Sequence, residues 1–168
     1  MKLLTDAYSN PSFDNPLDIA EDILNANNWD FNRCDEDELL VELQGRWTDY
    51  TLYFLWRHDI GALYFSLSFD ARIPSQKKEE MYKLVALVNE KMWMGHFDLI
   101  SGDDVLMFRH TLLLRGSENP SVEQIEDLID CALMETDRFY PAFQYLMWGG
   151  QSAGQCLSMV EFETIGEA

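Results

Sequence analysis

"WTDYTLYFLWRHDIGALYFSLSFD", residues 47–70, holds two runs of alternating side chains on either side of Arg57-His58-Asp59-Ile60-Gly61. In the first run Tyr50, Leu52, Phe54 and Trp56 share one face. In the second, Leu63, Phe65, Leu67 and Phe69 share one face, and Tyr64, Ser66 and Ser68 the other. A period of two marks a half-buried strand. With Trp56 opposite Leu63 and Leu52 opposite Leu67, both apolar faces coincide. A one-residue slip would set each of them against a serine or tyrosine, so the register of this hairpin is strongly specified.

The pattern extends in both directions. Upstream, "ELLVELQ" (38–44) continues the alternation, and a tight turn at Gly45-Arg46 would set Val41 opposite Tyr50 and Leu39 opposite Leu52. "WDFNR" (29–33) adds a short strand, completing a meander. Before it, "NPLDIAEDILNANN" (15–28) offers Asn15 as N-cap, Pro16 at the first helical position, and Leu17, Ala20, Ile23 and Leu24 on one face. Downstream, "PSQKKEEMYKLVALVNEKMWMG" (74–95) reads as a helix stopped by Gly95, with Met81, Leu84, Val85, Val88 and Met92 at helical spacing. A second hairpin, 96–101 with 104–114, turns at Gly102-Asp103. It pairs Ile100 with Val105, Asp98 with Met107 and His96 with Arg109. Ser121 and Gln124 form a capping box for a last long helix with Val122, Ile125, Ile129, Leu133 and Thr136 on its buried stripe. Pro141 should kink or restart that helix near Tyr140, and Gly149-Gly150 releases a short acidic tail.

Strands grouped apart from helices predict an α+β fold: one antiparallel sheet, a meander plus a second hairpin, with helices on one face. Residues 1–14 read as a loose lead-in and residues 15–168 as a single domain. Trp56, Phe54, Phe65, Leu67 and Phe108 are expected in the core beneath the helices.

The chain has 168 residues, 47% of them hydrophobic, enough for a sizeable core. It carries 12 basic and 30 acidic residues, a net charge of −18. Nucleic-acid affinity rests on Lys and Arg displacing counterions from phosphates, so this balance argues against nucleic acid and against anionic membrane surfaces as partners. No apolar run is long enough for a membrane span. The start, "MKLLTDAYSNPSFDNP", lacks the apolar centre of a signal peptide, so a cytoplasmic location is expected.

"KMWMGHFDLISGDDVLMFRH" (91–110) gathers two histidines, three methionines and acidic residues. Strand parity puts His96 with Asp98 and Arg109 on one side of the sheet and His110 on the other, so the two imidazoles do not share an ion. His110 is expected as a partly buried, hydrogen-bonded core histidine, Met92 and Met94 as packing residues, and His58 as a turn residue. Cys34, Cys131 and Cys156 have no metal-ligand spacing. Cys131 reads as a small helical hydrophobe, and Cys34 lies among acids that disfavour a thiolate. No phosphate-binding glycine loop, nucleophile elbow or metalloprotease helix is present. No catalytic residues, cofactor or metal are expected.

"GRWTDYTLYFLWRHDIGALYFSLSFDARIP" (45–74), "LVNEKMWMGHFDL" (87–99), "VLMFRHTLLL" (105–114), "RFYPAFQYLMWGG" (138–150) and "FETIGEA" (162–168) resemble the YbjN family, named for bacterial sensory transduction regulators. The similarity runs from about Asn15 to the end. It implies a fold like that of type III secretion chaperones and a regulatory role, and it carries no catalytic residues onto positions of this chain.

The sheet face turned away from the helices should carry Leu40, Thr51, Tyr53, Leu55, Tyr64, Ser66, Ile100, Val105 and Met107, ringed by Glu42, Asp49, Arg57 and Asp98. Leu40, Tyr53, Leu55, Tyr64, Ile100, Val105 and Met107 are the candidate interaction surface, for a protein partner or a homodimer. The competing expectation is that the tail after Gly150 folds across and covers it. The functional expectation is a chaperone-like or regulatory protein-interaction module. The alternative is an enzyme or small-molecule binder whose site is not visible in sequence.

Overall fold

The computed structural model describes residues 15–100, 105–114 and 120–166. The expected lead-in, 1–14, and the expected turn at Gly102-Asp103 lie outside the described residues. Asn15 caps α1 (Pro16–Ala26): its side chain accepts from the Leu17 amide at 3.0 Å, and Leu17, Ala20, Ile23 and Leu24 are buried. The strands are β1 (Phe31–Arg33), β2 (Glu38–Gln44), β3 (Asp49–Arg57), β4 (Ala62–Phe69), β5 (His96–Ile100) and β6 (Val105–Leu113). A short 3-10 turn leads into α2 (Lys78–Asn89), and α3 (Val122–Trp148) and α4 (Ala153–Gly166) close the chain. This is an α+β fold built on one six-stranded antiparallel sheet.

The β3–β4 hairpin has Trp56 opposite Leu63 and Leu52 opposite Leu67, and β5–β6 has Ile100 opposite Val105 and His96 opposite Arg109. Both registers match the apolar alternation. The β2–β3 register corrects the sequence expectation by two residues: Val41 faces Leu52, Leu39 faces Phe54, and Leu43 faces Tyr50. The connection is a four-residue loop closed by the Gly45 amide donating to the Thr48 carbonyl at 2.9 Å. A two-residue shift preserves parity, so the same side chains stay inside. Gly45 is required here because a Cβ would sit 2.1 Å from the Tyr50 ring.

The same loop braces α3, which runs as one helix of 27 residues through Pro141 and so does not restart there, as one of the two expectations had it. Proline removes the amide that would bond the carbonyl four residues earlier, that of Asp137. That carbonyl accepts instead from the Trp47 indole N–H at 2.8 Å, and the Trp47 ring stacks on Tyr140 at 6.4 Å. Trp47 thus replaces the missing helical donor, and it lies in a loop two residues longer than the expected tight turn. Ser121 and Gln124 form the expected capping box, but Val122 is exposed at 48%, a correction to its place on the buried stripe. Buried Ile125, Leu128, Ile129, Ala132 and Thr136 carry that stripe.

Strand order is β1-β2-β3-β4-β6-β5. Since β6 is antiparallel to both β4 and β5, those two run parallel with β6 between them. The crossover between them carries α2, as a parallel connection requires. α2 ends at Asn89, short of Gly95. The Asn89 side chain accepts from the Phe97 amide at 2.8 Å and donates to the Phe97 carbonyl at 3.0 Å, tying the helix end to β5. Gly95 has φ +65, and a Cβ there would lie 2.2 Å from the Phe108 ring, so it is a tight strand entry rather than a helix stop.

The helices share one face of the sheet. Trp56, Phe54, Phe65, Leu67 and Phe108 are at most 1% exposed in a single core with Leu17, Leu84, Ile129 and Phe143. The segment after Gly150 is a further correction: it is helical and packs on α2 and α3, on the covered side. The Ala153 amide donates to Glu80 at 3.1 Å, and Lys91 pairs with Glu161 at 2.9 Å.

Candidate interaction surface

Alternation along the strands places Leu40, Tyr53, Leu55, Tyr64, Ile100, Val105 and Met107 on the face opposite the helices, each half-buried. Among the described residues no helix packs there, and α4 does not reach it. Ladder partners set neighbours: Leu40–Tyr53–Ser66–Arg109–His96 form one row, Glu38–Leu55–Tyr64–Thr111 the next, and Glu42–Thr51–Ser68–Met107–Asp98 another. Tyr53 and Tyr64 meet edge to face at 6.3 Å. The Arg109 guanidinium lies 5.4 Å from the Tyr64 ring centre and pairs with Asp98 at 2.6 Å. Burial, then the Glu38 carboxylate that its hydroxyl bonds, pushes the Tyr53 phenol up to about 12. Acids Glu38, Glu42, Asp49 and Asp98 surround this apolar centre, while Ile100 and Val105 pair at one edge of it.

The histidines separate as parity requires. His96 is exposed opposite Arg109, whereas His110 is opposite Phe65 on the helix side. His110 is half-buried, and burial, then His96, pushes its pKa below the ordinary value, keeping it neutral at pH 7. The expected hydrogen bond is missing: among the described residues nothing bonds its ring. It lines a crevice of about 150 Å³ with Met94, Phe108, Leu112, Leu128 and Cys131, and with the polar Gln124 and Asp127 at its wall. Burial, then Glu135 and Asp127, pushes the Cys131 thiol up, so it is protonated and a poor nucleophile beside a neutral imidazole. Cys34 is exposed and Cys156 buried.

His58 has a role that sequence reading missed. Its Nδ1 accepts from the Trp56 indole N–H at 2.8 Å, and its Nε2 lies 2.8 Å from Asp37 Oδ1. The turn residue therefore latches the β1–β2 connection to the β3–β4 hairpin. A Trp-x-His spacing at a strand end is the only signal for it, and the third member is twenty-one residues away from His58.

Among the described residues no group of three or more His, Cys, Asp or Glu is placed to hold a metal ion. No helix among them is long and apolar enough to cross a membrane.

No curated protein matches the chain. A solved structure described as "YbjN, a putative transcription regulator from E. coli" is 12% identical, with a TM-score of 0.49, over 90% of this chain and 92% of that one. A family model described as "Putative bacterial sensory transduction regulator" matches residues 16–145, from the first helix into the last third of α3, and the chain belongs to the YbjN family.

Proposed function

We propose that this protein is a cytoplasmic regulatory module, chaperone-like in action, that binds another polypeptide on its open sheet face. The observation that carries the reading is an apolar centre built from two tyrosines, Leu40, Leu55 and Met107 and rimmed by Glu38, Glu42 and Asp49, with the arginines of the face, Arg57 and Arg109, already paired to Asp59 and Asp98. Charge selects the occupant. Two copies meeting face to face would set acidic rim against acidic rim, each on a molecule of net charge −18. A segment with an apolar strip and basic flanks complements both parts of the surface. The same acidity argues that regulation runs through a protein rather than through direct contact with nucleic acid.

The test uses a fluorescent amphipathic peptide with leucines on one side and lysines at both ends, and an acidic-flanked control. Saturable binding of the basic peptide, weakened about tenfold or more by Tyr53→Glu and by Met107→Glu with circular dichroism unchanged, supports the reading. Equal binding by wild type and both variants overturns it. So does a wild-type dimer that those two substitutions dissociate, since the face would then belong to a second copy.

A further inference from the structure

Both ring nitrogens of His58 are in use, on opposite sides of the ring. Nδ1 accepts from the Trp56 indole N–H at 2.8 Å, and Nε2 lies 2.8 Å from Asp37 Oδ1. An indole nitrogen only donates, so the imidazole nitrogen that faces it carries no proton. The ring's single proton is then on Nε2, on the side of the Asp37 carboxylate, and the imidazole is neutral. Among the described residues no other group bonds Asp37 Oδ1, a buried atom.

The two contacts respond to a further proton in opposite ways. That proton goes to Nδ1, where two donors would then face each other, so the indole bond is lost. The same proton turns the Asp37 contact into a charge-assisted pair, which is stronger. Trp56 cannot follow the ring, because it is 1% exposed in the core. The His58 side chain is 55% exposed, so it can swing about Asp37 and give its Nδ1 proton to water.

The other charges nearby are engaged elsewhere. Arg57 and Asp59, on the same turn, bind each other through two bonds of 2.8 Å. Arg33, beside the β1–β2 connection, is held by Glu21 and Asp18 of α1. Asp35 turns its carboxylate to the Asp37 amide at 2.8 Å, and Glu38 bonds Tyr53 on the open face. Asp37 is the carboxylate that answers a charge on His58.

We infer that His58 is a proton-operated latch at the tip of the β3–β4 hairpin. Neutral, it anchors the tip to Trp56. Protonated, it leaves Trp56 and anchors the tip to Asp37 alone. The Trp56 amide donates to the Asp37 carbonyl at 2.8 Å in a bond that the proton does not touch, so strand and connection stay together. The part that shifts is the turn after Arg57. Imidazole is the side chain that changes charge between about pH 5 and 8, and acidification through that range drives the exchange. The latch does not depend on what binds the open face.

Nuclear magnetic resonance on the isotope-labelled full chain tests this. At about pH 8 the His58 ring should show a bare Nδ1 and a protonated Nε2, with the Trp56 indole proton at a low-field, hydrogen-bonded position. Acidification to about pH 5 should move that indole signal upfield together with the His58 ring nitrogens, through one shared midpoint. His58→Gln, whose side-chain oxygen accepts the indole N–H without titrating, should hold the signal in place throughout. Asp37→Asn should leave the Trp56 signal titrating but abolish the parallel shift of the amides of residues 34–37 that the wild type shows. A proton on Nδ1 in the alkaline spectrum overturns the inference, as does a Trp56 signal that stays still in the wild type or moves as far in His58→Gln. Amides at 34–37 that titrate unchanged in Asp37→Asn overturn the second anchor, and with it the exchange.

Discussion

Tyr50 and Tyr53 lie on one strand, three residues apart, and point to opposite faces of the sheet. Tyr50 is 1% exposed, sits against Phe69, and bonds its hydroxyl to Asp137 of α3 at 2.6 Å. Burial, then the Asp137 carboxylate, holds its phenol far above the ordinary range. Tyr53 is half-buried, with Tyr64 as its aromatic neighbour and Glu38 as its hydroxyl partner. Both phenols are raised by the same two causes, yet one is sealed beneath a helix and the other lies open. The pleat alone separates a residue that joins two layers from one that faces away from the helices.

The largest contrast between the faces should come from truncating neighbours on β4. Phe65, fully buried against Phe54 at 4.8 Å, should lose about 3–5 kcal/mol on Phe65→Ala. Tyr64→Ala, one residue away on the open face, should cost about 1 kcal/mol or less. Urea unfolding measures both, and equal costs would mean that the open face is as tightly packed as the core.

A smaller effect is expected at the entry to β5. Gly95→Ala combines positive φ with a clash against Phe108 and should cost about 1–3 kcal/mol. Gly150→Ala, with nothing within 4 Å of a new Cβ, should stay within about 0.5 kcal/mol. Thermal melts of the pair show whether close packing on the covered side extends into the turn that holds Trp93.

Removing single hydroxyls sharpens the tyrosine comparison further. Tyr50→Phe should cost about 1–2 kcal/mol, because it takes a donor from a half-buried carboxylate. Tyr53→Phe should cost clearly less, since Glu38 can turn to water. A larger loss at Tyr53 would contradict the open character of its face.

The subtlest difference lies in alkaline titration. A phenol with a folded pKa above its unfolded value of 10.0 retains its proton longer in the native state. Its contribution to stability is complete below that unfolded value and is lost as pH rises through the folded value. For Tyr53 the window runs from 10.0 to about 12. Stability should fall with rising pH across it, less steeply in Tyr53→Phe, and ultraviolet absorbance should lose a phenol step near the top of the window. An unchanged slope would remove the Glu38 contact from the account.

Where the sequence could be read, one strand or one helix end contained the whole signal. The β3–β4 register follows from Trp56, Leu52 and their partners because any slip exposes an entire apolar face. The α1 cap follows from Asn15-Pro16, and the opposite placement of His96 and His110 from parity. The candidate residues of the open face were assigned to it by the same alternation, which a two-residue error between β2 and β3 left untouched.

What escaped reading depended on residues far apart in the chain. The length of the β2–β3 loop answers to a carbonyl orphaned by Pro141, ninety residues on, which no local pattern near Gly45 records. The end of α2 is set by Asn89 grasping Phe97, and the helical continuation after Gly150 by packing on α2 and α3. The insertion of β6 between β4 and β5, and the crevice it forms with α3, exist only once those layers meet. Alternation and capping are properties of neighbours along the chain and so belong to the sequence. Loop length, strand order and the meeting of Met94, His110 and Cys131 depend on which distant groups satisfy one another, and only the tertiary structure decides that.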